Sequence, residues 1–105
     1  MVEKKIVRIG HRGAAGHAPE NTIAALRKGI GLGVDFVELD VQRSQDGRLI
    51  VMHDPLVDRT TNGTGLISQM TWEELRSLNA GDGEAVPSLE SALAASNGQV
   101  GVMLE

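Results

Sequence analysis

Apolar and polar positions along the chain switch between a period of about two and a period of about 3.6, and the switches lay out its elements. Residues 5–10 (KIVRIG) read as a short strand that runs into the Gly/Ala-rich loop 11–17 (HRGAAGH). Residues 19–33 follow as a helix, with Asn21 as N-cap, an apolar stripe of Ile23, Leu26 and Ile30, and Gly31 and Gly33 as stops. Residues 35–42 (DFVELDVQ) read as one buried strand. In it Val37, Leu39 and Val41 face a packing layer, and Glu38 and Asp40 share the opposite face. A turn at 44–47 leads to a strand at 48–53 (RLIVMH), which Pro55 stops. Residues 54–70 form a polar, Gly-containing loop whose length needs a reason. A helix starts at Thr71, where Thr71 and Glu74 form a capping box and Trp72, Leu75 and Leu78 lie on the inner side. After a loop at 79–86, a third helix begins near Ser88 with Leu89, Ala92 and Leu93 and stops at Asn97-Gly98. Residues 99–105 (QVGVMLE) close the series as a strand with Gly101, Met103 and Glu105 on one face.

The order β, α, β, β, α, α, β favours an α/β fold with a parallel sheet and right-handed crossovers. In such sheets polar residues at strand C-termini build the site. His11, the Glu38/Asp40 pair, His53 and Glu105 all lie at or near such ends. Four strands thus converge ionisable groups on one rim, which points to a shared metal and acid/base site.

Composition narrows this further. The 105 residues suit a single domain, and 41% hydrophobic content with 2% aromatic means a core of Val, Ile, Leu, Ala and Met. A net charge of -4 argues against general nucleic-acid or anionic-membrane binding. There are no cysteines, so neither disulfides nor a thiolate metal site arise. The first residues lack a signal-type apolar core and no run approaches a membrane span, so a cytoplasmic protein is the expectation.

Two adjacent carboxylates on an apolar strand repel each other and are costly to desolvate, and a divalent cation relieves both problems. Taken alone, the pair fits an exposed or charge-blunted edge strand equally well. Either histidine alone would more often be structural, and Arg12 alone could be a surface ion-pair partner. His17 reads as a surface residue and Trp72 as a helix anchor. Asp54 either orients His53 or caps the loop. Asp58 and Arg59 either order the loop against itself, the preferred reading, or face substrate.

The stretches HRGAAGHAPENT, GVDFVELDVQRSQDGRLIVMHDPLVDRTTNGTG and VPSLESAL resemble the N-terminal portion of a glycerophosphodiester phosphodiesterase. HRG, PENT, ExD, HD and RTTNGTG occur in order and at the family's spacing over nearly the whole chain. The resemblance implies the N-terminal half, strands one to four with their helices, of a (β/α)8 TIM barrel. It implies hydrolysis of glycerophosphodiesters to glycerol 3-phosphate and an alcohol with a divalent cation, Ca2+ or Mg2+. Carried over by position, His11 and His53 match the catalytic histidines, and Glu38, Asp40 and Glu105 match the metal carboxylates. Arg12 matches a phosphate-binding arginine, and Glu20 the acid that holds it. The family's path is attack by the glycerol 2-hydroxyl, giving a cyclic phosphate that water opens, with the histidines as base and acid in an order the sequence leaves open. A barrel of this type needs about 250 residues. Homodimer closure into eight strands is the favoured expectation, over a smaller rearranged domain or a fragment that needs its missing half. For function, the alternative to the enzyme is a half-barrel assembly module that holds metal without useful turnover.

Overall fold

The computed structural model describes residues 7–105, so residues 5 and 6 of the first expected strand lie outside the described residues. The elements are β1 (Ile9–Gly10), α1 (Ile23–Gly31), β2 (Phe36–Leu39), β3 (Val41–Arg43), β4 (Leu49–Val51), a 3-10 turn at Ile67–Gln69, α2 (Trp72–Arg76), α3 (Leu89–Ser96) and β5 (Gly101–Leu104). β1, β2 and β5 form a parallel sheet in the order β1-β2-β5. Its register sets Ile9 beside Phe36, Phe36 beside Gly101, and Glu38 beside Met103.

The expected strand over 35–42 is two strands in two sheets. At Asp40 the chain leaves the parallel sheet: the Asp40 carbonyl accepts from Met52 N at 2.9 Å, and Val41 begins an antiparallel hairpin with β4. The segment between β3 and β4 is far shorter than the dozen or so residues that a parallel crossover requires, so the pair has to be antiparallel. Gly47 makes the turn at φ +82°, and Ser44 Oγ donates to Asp46 Oδ1 at 2.6 Å within it. Among the described residues the parallel strands therefore number three, not four.

The first helix is shorter than its apolar pattern suggests and is capped by Thr22, not Asn21. Thr22 Oγ1 accepts from Ala25 N at 3.2 Å, while Asn21 stands outside the helix at φ +56°. The third helix starts as expected, with Ser88 Oγ accepting from Ser91 N at 3.1 Å.

Two apolar clusters hold these pieces together. Leu26, Val37, Leu39, Val51 and Ala92 are buried where the sheet meets α1 and α3. Ile50, Met52, Val57, Ile67, Leu75, Ala80 and Val86 form a second cluster beneath the long loop, against which Trp72 packs. The loop is thus not merely polar: Val57 and Ile67 anchor it by burial, which stabilises by about 1.5–3 kcal/mol for each such side chain. The opposite face of the parallel sheet is open, with Ile9, Phe36 and Met103 exposed. Among the described residues no helix is long and apolar enough to cross a membrane.

Close packing of the HRG turn on α1 depends on Gly13. It sits at φ +80°, and a Cβ there would stand 2.8 Å from the Ala25 carbonyl carbon. Gly13→Ala should cost about 1–3 kcal/mol, seen as a lower denaturation midpoint. Gly47→Asn, at φ +82° but facing open space, should cost well under about 1 kcal/mol. Equal effects of the two substitutions would contradict this packing.

Candidate active site

The site forms where β1 and β2 end. β1 delivers His11 and Arg12, and the chain then doubles back at Gly13, whose N–H donates to the Glu38 carbonyl at 3.1 Å. Arg12 takes φ +51° to do this, and its own N–H donates to Glu38 Oε2 at 3.1 Å. Asn21, the other left-handed non-glycine residue of this region, donates its N–H to the Arg12 carbonyl at 2.9 Å. Its side chain clasps Asp40: Nδ2 donates to Asp40 Oδ2 at 3.0 Å, and Oδ1 accepts from Asp40 N at 3.3 Å. Strained backbone of this kind costs on the order of 1–3 kcal/mol per residue and persists where neighbours enforce it. Both strained residues here bond the acids of β2 and its end.

Those acids are buried, with Glu38 7% and Asp40 6% exposed. They join the exposed Glu105 at the end of β5, and one carboxylate oxygen from each of the three lies within 4.8 Å of the others. Burial, followed by the nearby Asp40 carboxylate, pushes the Glu38 carboxyl above its ordinary range. Glu38 Oε1 is buried without a hydrogen-bond partner. An all-oxygen donor set with one orphaned buried oxygen fits a hard divalent cation such as Ca2+ or Mg2+.

Arg12 spans the acids. Its Nε lies 3.3 Å from Asp40 Oδ2, and its Nη1 donates to Glu20 Oε2 at 3.1 Å. Glu20 is held below its usual range chiefly by its hydrogen bond from Arg59 and also by the charge of Arg12. His11 Nε2 lies 3.5 Å from Glu38 Oε2. His53 follows the antiparallel β4 rather than a parallel strand, and its Nδ1 stands 2.8 Å from Asp54 Oδ1. A carboxylate partner accepts a proton from Nδ1, so in the neutral ring the lone pair lies on Nε2. Asp54 is held far below its ordinary range, first by Arg59 and then by His53.

Six of the seven residues named from the sequence meet here, and the seventh, His53, reaches them through two others. Glu38 touches His11 and Arg12, Arg12 touches Asp40 and Glu20, Glu105 joins the acids, and His53 is linked through Asp54 and Arg59 to Glu20. Of the open alternatives, Asp54 bonds His53, while Asp58 Oδ1 accepts from Gly65 N at 3.0 Å within the loop. Asn21 was missed as a site residue. Two cap-forming residues in a row, Asn21-Thr22, carried the signal, since one helix needs one N-cap and the other is free for another task.

Clustered carboxylates and an arginine at the ends of parallel strands, with one imidazole beside them and a second on the neighbouring hairpin, can hold a cation, neutralise an anion and move protons. The Glycerophosphoryl diester phosphodiesterase family model matches residues 11–105, and the chain belongs to that family. A glycerophosphodiester phosphodiesterase of Caldanaerobacter subterraneus is 48% identical over 92 residues, covering 81% of this chain and 38% of that enzyme. The crystal structure of a glycerophosphodiester phosphodiesterase from Agrobacterium tumefaciens matches at a TM-score of 0.90 and 43% identity, over 94% of this chain and 46% of that one. A phosphodiesterase from Oleispira antarctica, solved with the product sn-glycerol-3-phosphate, matches at 0.91 and 37% identity, over 94% and 43%. The chain spans less than half the length of each of these proteins.

The raised Glu38 carboxyl has a measurable consequence. For an acid whose folded pKa lies above its ordinary 4.5, the contribution to stability is full below 4.5 and is lost as pH rises through the folded value. With chelator present, Glu38→Gln should therefore gain stability relative to wild type as pH rises through that window. Mg2+ or Ca2+ at neutral pH should stabilise wild type and not the variant. A wild-type-minus-variant difference that stays flat with pH and ignores cation would contradict the site.

Proposed function

We propose that this segment carries the cation-binding and acid/base half of an enzyme that hydrolyses glycerophosphodiesters to glycerol 3-phosphate and an alcohol. The observation that carries the reading is the cluster of Glu38, Asp40 and Glu105 within 4.8 Å, with Arg12 and His11 in contact with it. In this reading Glu38, Asp40 and Glu105 hold a divalent cation, which supplies charge stabilisation to the phosphoryl oxygens when bound. Arg12, pinned between Asp40 and Glu20, presents its guanidinium to the phosphodiester anion. The geometry favours His53 as the base. Asp54 fixes its Nδ1–H, so Nε2 takes the proton from the glycerol 2-hydroxyl as that oxygen attacks phosphorus. His11 then donates a proton to the departing alcohol oxygen, leaving a cyclic phosphate that water opens by the reverse proton movements. His11 stands beside the acid cluster, with its Nε2 3.5 Å from Glu38 Oε2.

Leaving groups separate the roles. With a choline ester of glycerol phosphate, His11→Ala and His53→Ala should each lose about 10²–10⁴-fold in kcat. With the p-nitrophenyl ester, whose leaving group needs no proton, His11→Ala should recover most of its loss and His53→Ala none. Recovery by His53→Ala instead would reverse the assignment. Cation-independent release from either ester would overturn the reading as a whole.

A second reading, a module that binds cation with little turnover, draws support from the open sheet face of Ile9, Phe36 and Met103. An apolar inner face of this kind needs an opposite wall. A second copy of the chain would bring the described parallel strands to six, two fewer than a (β/α)8 barrel uses. We therefore favour further β/α units over homodimer closure as that wall. A dimer at micromolar concentration in sedimentation, dissociated by Phe36→Glu, would restore the homodimer.

A further inference from the structure

The long loop holds one residue whose contacts reach both chemical arms of the site. Arg59 Nη1 and Nη2 donate to Glu20 Oε1 and Oε2 at 2.7 and 3.0 Å. Its Nε and Nη2 donate to Asp54 Oδ2 and Oδ1 at 2.8 and 3.0 Å. Glu20 Oε2 in turn accepts from Arg12 Nη1 at 3.1 Å, and Asp54 Oδ1 meets His53 Nδ1 at 2.8 Å. One planar guanidinium thus sits between two carboxylates, each of which holds a different working side chain. We propose that Arg59 is a positioning residue that fixes Arg12 through Glu20 and His53 through Asp54, so that phosphate anchor and imidazole keep one geometry. This rests on the phosphodiesterase reading of the site.

Three observations favour this over simple loop ordering. The loop already has its own anchors, because Val57 and Ile67 are buried, Thr61 Oγ1 donates to the Val57 carbonyl and Asp58 accepts from Gly65 N. Arg59 is 49% exposed on its side chain, where ion pairs add little to stability. And four short donor contacts to two carboxylates use the fork geometry that lysine lacks. Without Arg59, Glu20 and Asp54 would face each other as like charges and turn apart, carrying Arg12 and His53 with them. Small misplacements of this sort cost on the order of 100-fold in rate.

The test compares wild type, Arg59→Ala and Arg59→Lys in the full-length protein with two independent measurements. In 15N NMR at a pH where the ring is neutral, wild-type His53 should carry its proton on Nδ1. Arg59→Ala should populate the Nε2–H tautomer, and Arg59→Lys should not restore the wild-type state fully. With a glycerophosphodiester, Arg59→Ala should lower kcat on the order of 100-fold and raise KM, and free guanidinium ion should recover part of both. If both variants keep the Nδ1–H tautomer, Arg59 only orders the loop and the inference is overturned, whatever happens to the melting temperature. The tautomer measurement needs no turnover, so it decides on Arg59 even where wild type releases no glycerol 3-phosphate and the phosphodiesterase reading fails.

Discussion

Everything in this structure follows from two carboxylates placed in an apolar setting at the end of one strand. Glu38 and Asp40 are buried almost as far as the core residues around them, yet nothing apolar can satisfy them. The chain compensates locally. It bends Arg12 and Asn21 into left-handed conformations so that backbone and side-chain donors reach the acids. It also places an arginine beside Asp40. These donors leave one oxygen of Glu38 unpaired, and Glu105 arrives as a third negative charge. A structure that only had to bury the strand would not add a third carboxylate. The proposed cation would offset that surplus negative charge.

The parallel sheet and the helices serve this arrangement by fixing where strand ends fall. Val37 and Leu39 point into the helix-facing core while Glu38 faces the other way, so the strand alternation that seats the core also aims the acid. β5 pairs with β2 in a register that brings Glu105 level with the end of β2, where Glu105 N donates to the Leu39 carbonyl at 3.0 Å. The third carboxylate is therefore placed by backbone hydrogen bonds rather than by its own side-chain contacts.

Much of this was legible in the residues. The alternation in VDFVELD predicts the shared face of Glu38 and Asp40, and the strand-end positions of His11 and Glu105 predict that each reaches those acids. The helix starts at Thr71 and Ser88 are visible as caps. What failed was the break at Asp40. Strand-favouring residues stand on both sides of Asp40, and the strand-poor aspartate reads as a site carboxylate rather than as a change of sheet. The short SQDGR connection did carry the answer, because so few residues cannot cross over a sheet. Weighing that length against the parallel expectation would have given a hairpin. Asn21 was lost for a different reason: a residue that can cap a helix and one that can clasp a carboxylate look alike until the neighbouring Thr22 claims the helix.

The hairpin changes how the second histidine must be held. In a sheet of parallel strands, ladder hydrogen bonds would set His53 beside the end of a neighbouring strand, as they set Glu105 beside the end of β2. Here β4 belongs to a separate two-stranded unit, so the sheet does not fix the distance between His53 and the acids. Some other structure has to do so, and this gives the long segment after His53 its reason. Val57 and Ile67 root it in a cluster that also contains Ile50 and Met52 of the same hairpin, and the loop therefore moves with His53. Several links then tie that unit back to the first, among them the Met52 N–H donating to the Asp40 carbonyl, the Val41 N–H donating to the Glu105 carbonyl at 2.7 Å, Val51 buried with Val37 and Leu39, and Arg59 reaching Glu20. The backbone and apolar contacts hold the hairpin beneath the site, and Arg59 adds a charged contact across its rim.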